Sequence, residues 1–192
     1  SFRNDGSSRF ASGYRFGNFY SAGVAWNISN ENLLSDSAIV NNLKLRASYG
    51  QTGNHGIGNN QYQSLFGYGA SYNDQGAVFP STFGNLIISW ETANLLDVGV
   101  DFSLLDNRLS GSVTYYEKET DDLLQSVPLS RTTGHTSQTM NVGAIMNKGI
   151  EIELDAQVLK TNDFSFEIYG NFSENNDEVT RLAKTADGED IN

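Results

Sequence analysis

An antiparallel all-β fold of the membrane-spanning barrel type is what this sequence predicts, and three observations predict it. Apolar and polar residues alternate strictly along six stretches, which a strand converts into one oily and one wet face. Tight Asn- and Asp-bearing turns follow some of these stretches, whereas long Gly-, Asn- and Tyr-rich connections follow others. Aromatic residues such as Tyr20, Trp26, Tyr49, Tyr115 and Phe172 fall near the stretch ends, where interfacial girdles belong. Alternation alone serves a soluble antiparallel sandwich equally well. Segment lengths near the roughly 9 to 11 residues of a membrane strand, the unequal loops and the aromatic ends favour the barrel.

The stretches run in order along the chain. In the first, Tyr20, Ala22, Val24, Trp26 and Ile28 oppose Phe19, Ser21, Gly23, Ala25 and Asn27. In the second, Leu43, Leu45, Ala47 and Tyr49 oppose Lys44, Arg46 and Ser48. The third sets Val98, Val100, Phe102 and Leu104 against Gly99, Asp101 and Ser103, and the fourth sets Leu109, Gly111, Val113 and Tyr115 against Ser110, Ser112, Thr114 and Tyr116. The fifth has Ile150, Ile152, Leu154, Ala156 and Val158 on one side and Glu151, Glu153, Asp155 and Gln157 on the other. The sixth has Phe164, Phe166, Ile168, Gly170 and Phe172 against Ser165, Glu167, Tyr169, Asn171 and Ser173. Leu105-Asp106-Asn107-Arg108 and Lys160-Thr161-Asn162-Asp163 read as hairpin turns. Residues 51–88 and 117–146 read as the long loops.

Composition narrows the function classes. The 192 residues suit one domain, but an apolar share of 38% is below the usual globular fraction. Twelve basic residues against 23 acidic ones give a net charge of −11, which argues against a nucleic-acid partner whose phosphates need neutralising. The same balance excludes a polybasic membrane anchor. No stretch is long and apolar enough for a membrane helix, a criterion that does not touch barrel strands. With no cysteine, disulfide frameworks and thiolate metal sites are excluded. The chain opens on Ser1 and closes on an acidic tract, and nothing in it reads as a signal peptide, so an internal piece of a longer protein is expected.

Ordered strings then carry a resemblance. They begin with Asp5-Gly6-Ser7-Ser8-Arg9-Phe10, Ala25-Trp26-Asn27-Ile28-Ser29 and Leu43-Lys44-Leu45-Arg46-Ala47-Ser48-Tyr49-Gly50-Gln51-Thr52-Gly53-Asn54. Trp90-Glu91-Thr92, Val98-Gly99-Val100-Asp101-Phe102, Asn107-Arg108-Leu109 and Tyr115-Tyr116 with Thr120-Asp121-Asp122-Leu123-Leu124 follow. The series ends with Pro128-Leu129, Thr133-Gly134, Asn141-Val142-Gly143 and Asn147-Lys148-Gly149-Ile150-Glu151. Together they resemble the carboxy-terminal half of the barrel in the SusC/RagA family of TonB-dependent outer-membrane transporters. A departure is Tyr20-Ser21, where family members more often carry Pro-Ser.

The resemblance implies residues 1–192 as part of one barrel domain of about 22 strands, with short periplasmic turns and long extracellular loops. It implies that the plug domain and signal peptide lie elsewhere. It further implies TonB-dependent import of oligosaccharides or peptides, contact with outer-membrane lipid, a SusD-like surface lipoprotein as lid, and TonB acting through the plug. No cofactor and no catalysis are expected. The alternatives are a siderophore or cobalamin receptor of the wider TonB-dependent group, a soluble secreted carbohydrate-binding β-sheet module, and an adhesive surface barrel.

Candidate chemistry is sparse. Glu151, Glu153 and Asp155 share a strand face, yet glycoside hydrolysis needs acids aimed at opposite sides of a sugar, usually from different elements. Lys44 and Arg46 are expected to pair across strands with such acids. His55 and His135 lack further ligands at metal-binding spacing, and no Gly-x-Ser-x-Gly elbow supports a catalytic triad. The Gly-rich run after Gly50 lacks the lysine of a phosphate loop. Asn175-Asn176-Asp177-Glu178 and Asp187-Gly188-Glu189-Asp190 offer oxygens without the spacing of a calcium loop. One cluster is retained as a ligand or partner contact in an outer loop: Tyr62, Phe66, Tyr68 and Tyr72. Such rings stack on sugars or bury against another protein, or else simply pack their own loop.

Overall fold

The computed structural model describes residues 1–182 apart from 33, 35 and 36. Its centre is one antiparallel sheet of seven strands in the order β1-β2-β3-β6-β7-β10-β11. The strands are β1 (Phe2–Gly6), β2 (Phe16–Asn27), β3 (Val40–Asn54), β6 (Glu91–Leu104), β7 (Leu109–Asp121), β10 (Ala144–Lys160) and β11 (Ser165–Arg181). Between β3 and β6 stands the hairpin of β4 (Leu65–Tyr72) and β5 (Gln75–Thr82). Between β7 and β10 stands the hairpin of β8 (Leu124–Pro128) and β9 (Ser137–Asn141). β1 and β11 form the two edges, so the described residues make an open arc of wall rather than a closed cylinder.

Register converts the sequence alternation into rows that cross the sheet. Val24, Ala47, Val98, Tyr115 and Ile150 lie side by side, and so do Trp26, Leu45, Val100, Val113, Ile152 and Phe172. Leu43, Phe102, Gly111, Leu154 and Gly170 form the next row. Among the described residues no second layer covers them: Val24 is 69% exposed and Phe172 57% exposed. In water so large an apolar face would be a liability, whereas in a bilayer it is the surface that acyl chains solvate. Lys148 and Lys160 bracket the apolar run of β10 and place Leu154 midway between them. Tyr20 and Tyr49 lie together near the loop end with centroids 6.2 Å apart and rings tilted by 37°, at a level that suits interfacial aromatics.

The strands exceed the expected segments. β3 continues to Asn54, β7 to Asp121, and β10 starts at Ala144, so the loops shrink to residues 55–90 and 122–143. Polar residues such as Gln51, Asn94 and Glu119 end the apolar alternation there, because those positions stand beyond the hydrocarbon, but the hydrogen-bonded ladder runs on through them. Ile28 falls in a 3-10 turn and Phe164 in the turn before β11, each just outside its expected strand. Both tight turns are present. In the β6–β7 turn, Leu105, Asp106 and Asn107 take positive φ of 56°, 56° and 61°. Asn107 N donates to Asn41 Oδ1 at 3.1 Å, and Ser103 Oγ donates to Asn107 Oδ1 at 2.7 Å. The β10–β11 turn is closed by Phe164 N donating to Thr161 Oγ1 at 3.0 Å.

The fully buried apolar side chains lie at the loop end. Phe10 and Ile88 are 0% exposed and Ile57 8%, with Tyr62, Trp90 and Leu124 packed against them.

Candidate functional site

The inner wall begins with Arg46 on β3. Its Nη1 meets Asp97 Oδ1 at 2.7 Å, its Nε meets Asp101 Oδ1 at 3.3 Å, and its Nη2 donates to Thr114 Oγ1 at 2.5 Å. Lys44 Nζ lies 3.7 Å from Asp101 Oδ2. The guanidinium spreads over Gly99, where a Cβ would come within 2.7 Å of Cζ, so a larger residue there would require the Arg46 side chain to shift. These partners differ from the expected ones. Strand order puts β6 beside β3 and places both β6 and β7 between β3 and β10, which removes Glu151, Glu153 and Asp155 from reach. The third stretch already put Asp101 on the polar face, and Asp97 lies one strand period beyond Gly99; strand adjacency was the missing information.

The acids of β10 stand on the same wet face in a different setting. Cross-strand neighbours are Thr114 and Ser173 for Glu151, Ser112 and Asn171 for Glu153, and Ser110 and Tyr169 for Asp155. Among the described residues no acid stands directly opposite any of them. Among the described residues none of the ion pairs includes these acids. A row of carboxylates flanked by hydroxyls and amides holds water and lacks the facing pair that glycoside hydrolysis demands. The Asn175–Asp177 stretch lies within β11, where Asn147 and Asn175 both donate to the Asp177 carboxylate. The acidic run 187–190 lies outside the described residues.

At the loop end, the aromatic cluster separates into parts. Tyr62 packs on the buried Phe10–Ile57–Ile88 core. Phe66 and Tyr68 share a face of hairpin β4–β5 with their partners Val78 and Pro80. A bulge at Gly69, with φ +103°, then shifts the register and carries Tyr72 to the other face, opposite Gln75. Phe66, Tyr68 and Tyr72 are 62%, 82% and 81% exposed. Asn73 and Asp74, with φ of 51° and 59°, form the hairpin tip. Sequence reasoning saw the aromatics but neither hairpin, because glycines interrupt β4 and Pro80 interrupts β5.

The histidines occupy separate loops. His55 Nδ1 lies 3.2 Å from Ser7 Oγ, and its ring meets Trp90 at 5.2 Å. His135 packs on Phe83 at 5.0 Å. Trp90, which nothing in the local sequence marks as a packing centre, also contacts Phe10 at 5.5 Å and Phe19 at 5.4 Å. The Phe19 ring in turn lies against Gly17 and Gly53, where any Cβ would collide with it.

Comparison with known proteins places this geometry. The family described as TonB dependent receptor-like, beta-barrel matches residues 1–192. TonB-dependent receptor P39 of Formosa agariphila is 39% identical over 183 residues, covering 95% of this chain and 18% of the relative. TonB-dependent receptor SusC of Bacteroides thetaiotaomicron is 35% identical, covering 94% of this chain and 19% of that protein. A solved structure of the RagAB peptide transporter superposes with a TM-score of 0.87 at 36% identity, over 95% of this chain and 20% of that one. The chain thus spans about a fifth of the length of the relatives it matches. With its uncovered apolar face, polar inner wall and long structured loops, the chain belongs to the TonB-dependent receptor-like β-barrel family of the bacterial outer membrane.

Proposed function

We propose that the chain is the wall and outer-loop portion of an importer that brings oligosaccharides or peptides across the outer membrane. The importer works with a SusD-like surface lipoprotein, and energy from TonB enters through a plug outside residues 1–192. The supporting observation is co-linear similarity, over about 95% of this chain, to a protein named SusC and to the RagAB peptide transporter. The physical features agree with that role. The apolar rows take acyl chains as their solvent. The Arg46 cluster and the acid row of β10 keep the inner face wet along the path of a polar cargo.

Hairpin β4–β5 is the outer contact in this reading. Phe66 and Tyr68 present adjoining rings on a projection whose only charged residue is Asp74. Such a surface suits a sugar face or the apolar part of a lid lipoprotein, and Tyr72 serves a contact on the opposite side. Tyr62 anchors the hairpin to the loop core. Work on the inner wall consists of hydration and passage, with no bond made or broken.

Disruption of the full-length gene in its host tests the proposal. Growth on oligosaccharide or peptide mixtures as sole nutrient is expected to fail, to return with the wild-type gene, and to stay absent when TonB is lost. Unchanged growth on those nutrients, with lost use of ferric siderophore or cobalamin, would contradict it.

A further inference from the structure

Residues 88–91, between hairpin β4–β5 and the body of β6, fasten in succession to different parts of the loop end. Ile88 is buried with Phe10 of the 7–15 loop and Ile57 of the β3 exit. Ser89 is held through both sides of its backbone: its N–H donates to Asn141 Oδ1 at 2.8 Å, and Asn141 Nδ2 donates to its carbonyl at 2.9 Å. Trp90 Nε1 donates to the Arg15 carbonyl at 3.1 Å, and its ring touches Phe10, Phe19 and His55. Glu91 accepts from Asn54 Nδ2 and from Leu124 N, each at 3.0 Å.

We infer that residues 88–91 are a coupling hub that makes the 7–15 loop, hairpin β4–β5 and hairpin β8–β9 one mechanical body, with Asn141 as its positioning residue. A carboxamide that pairs with the N–H and C=O of one residue imitates a neighbouring strand, so Asn141 attaches β9 to the hub as a ladder would. Its Nδ2 also donates to the Asp122 carbonyl at 3.0 Å, which ties in the start of the same loop. Gln138 Nε2 donates to the Gly84 carbonyl at 2.7 Å and Asn85 Nδ2 to the Thr139 carbonyl at 3.1 Å, so the fastening is repeated on both sides. Trp90 extends it to Phe19, which belongs to β2 and therefore to the wall. Because packed clusters shift between discrete arrangements and do not deform smoothly, a molecule that displaces either hairpin moves the unit whole or opens the hub. In both cases the 7–15 loop at the mouth registers the event. This holds whatever the cargo, so its failure is separable from failure of the import reading.

Hydrogen exchange on the purified full-length receptor tests it, comparing wild type with Asn141→Ala, Asn141→Asp and Trp90→Phe. Asn141→Ala is expected to speed exchange about tenfold at residues 84–91 and also at 7–15 and 55–61, the factor that loss of one or two net hydrogen bonds supports. Asn141→Asp keeps the acceptor for Ser89 N but sets a carboxylate oxygen against the Ser89 and Asp122 carbonyls that Nδ2 served, so it should produce at least as large a rise at the same places. Trp90→Phe keeps a ring but loses the bond to the Arg15 carbonyl, and its effect should reach residues 122–141. If acceleration in the Asn141 variants stays within 122–141, and that in Trp90→Phe within 7–15, the loops are independent and the inference is wrong. Should Asn141→Ala fail to reach the membrane, the reach of the Trp90→Phe effect decides the matter alone.

Discussion

The wall and the loop end of this chain solve the burial problem in opposite ways. Along β6, β7 and β10, residues such as Val98, Val113, Ile150 and Leu154 are 40 to 46% exposed, with none of the described residues packed over them as a second layer. At the loop end, Phe10 and Ile88 are completely covered by side chains of three separate connections. The difference follows from the solvent. Acyl chains already provide the apolar medium around the wall, so its strands need no core, whereas loops in water must build one from their own residues. Stability of each region therefore answers to different substitutions.

The largest effect is expected where water is the solvent. Phe10→Ala removes a fully buried ring from a small cluster, so the loop end should lose about 3 to 5 kcal/mol of local stability. Proteolysis of residues 55–90 in intact outer membranes would show it, with the barrel still resistant. Next come cations placed on the lipid face. Ile152→Arg and Leu154→Arg, near the middle of β10, should each cost about 2 to 4 kcal/mol of membrane folding, read as lost heat-modifiable gel mobility of the complete protein. The same change at Phe166, close to the β10–β11 turn, should cost only about 0 to 1 kcal/mol.

Smaller effects belong to the wet face. Arg46→Ala leaves Asp97 and Asp101 half-exposed without their shared guanidinium, a loss of about 1 kcal/mol in urea unfolding from bilayers. Arg46→Lys should not recover it fully, because an ammonium cannot reach Asp97, Asp101 and Thr114 in one fork. Glu153→Gln should be neutral within about 0.5 kcal/mol, since its neighbours Ser112 and Asn171 accept either form. Equal sensitivity at Ile152 and Glu153 would erase the contrast between the faces.

What the sequence disclosed follows the same division. The wall was legible because period two is a local signal: rows such as Ile150, Ile152 and Leu154 declare their face without knowledge of any neighbour. The continuation of β3 through Gln51 and Asn54 was hidden, because beyond the hydrocarbon both faces are polar and the period vanishes. Strand β1, with Arg3, Asn4 and Asp5 inside it, carried no apolar pattern at all. The partners of Arg46 required strand adjacency, which no single stretch encodes. The loop core was least visible: Phe10, Ile57, Ile88 and Trp90 are scattered over long connections, and nothing local marks them as neighbours. Tyr62, Phe66, Tyr68 and Tyr72 were visible as aromatics in a Gly-rich loop, but the Gly69 bulge that divides them between faces is a backbone feature.

The lipid-facing assignment of the apolar rows is tested most directly by single cysteines, which this stretch of sequence otherwise lacks. Spin labels at positions 113, 152 and 154 of the full-length receptor in bilayers should relax strongly with dissolved oxygen and weakly with a water-soluble nickel chelate. Labels at 112, 151 and 153 should show the reverse. Chelate access at both sets, or oxygen preference at both, would mean that the two faces do not meet oil and water as described.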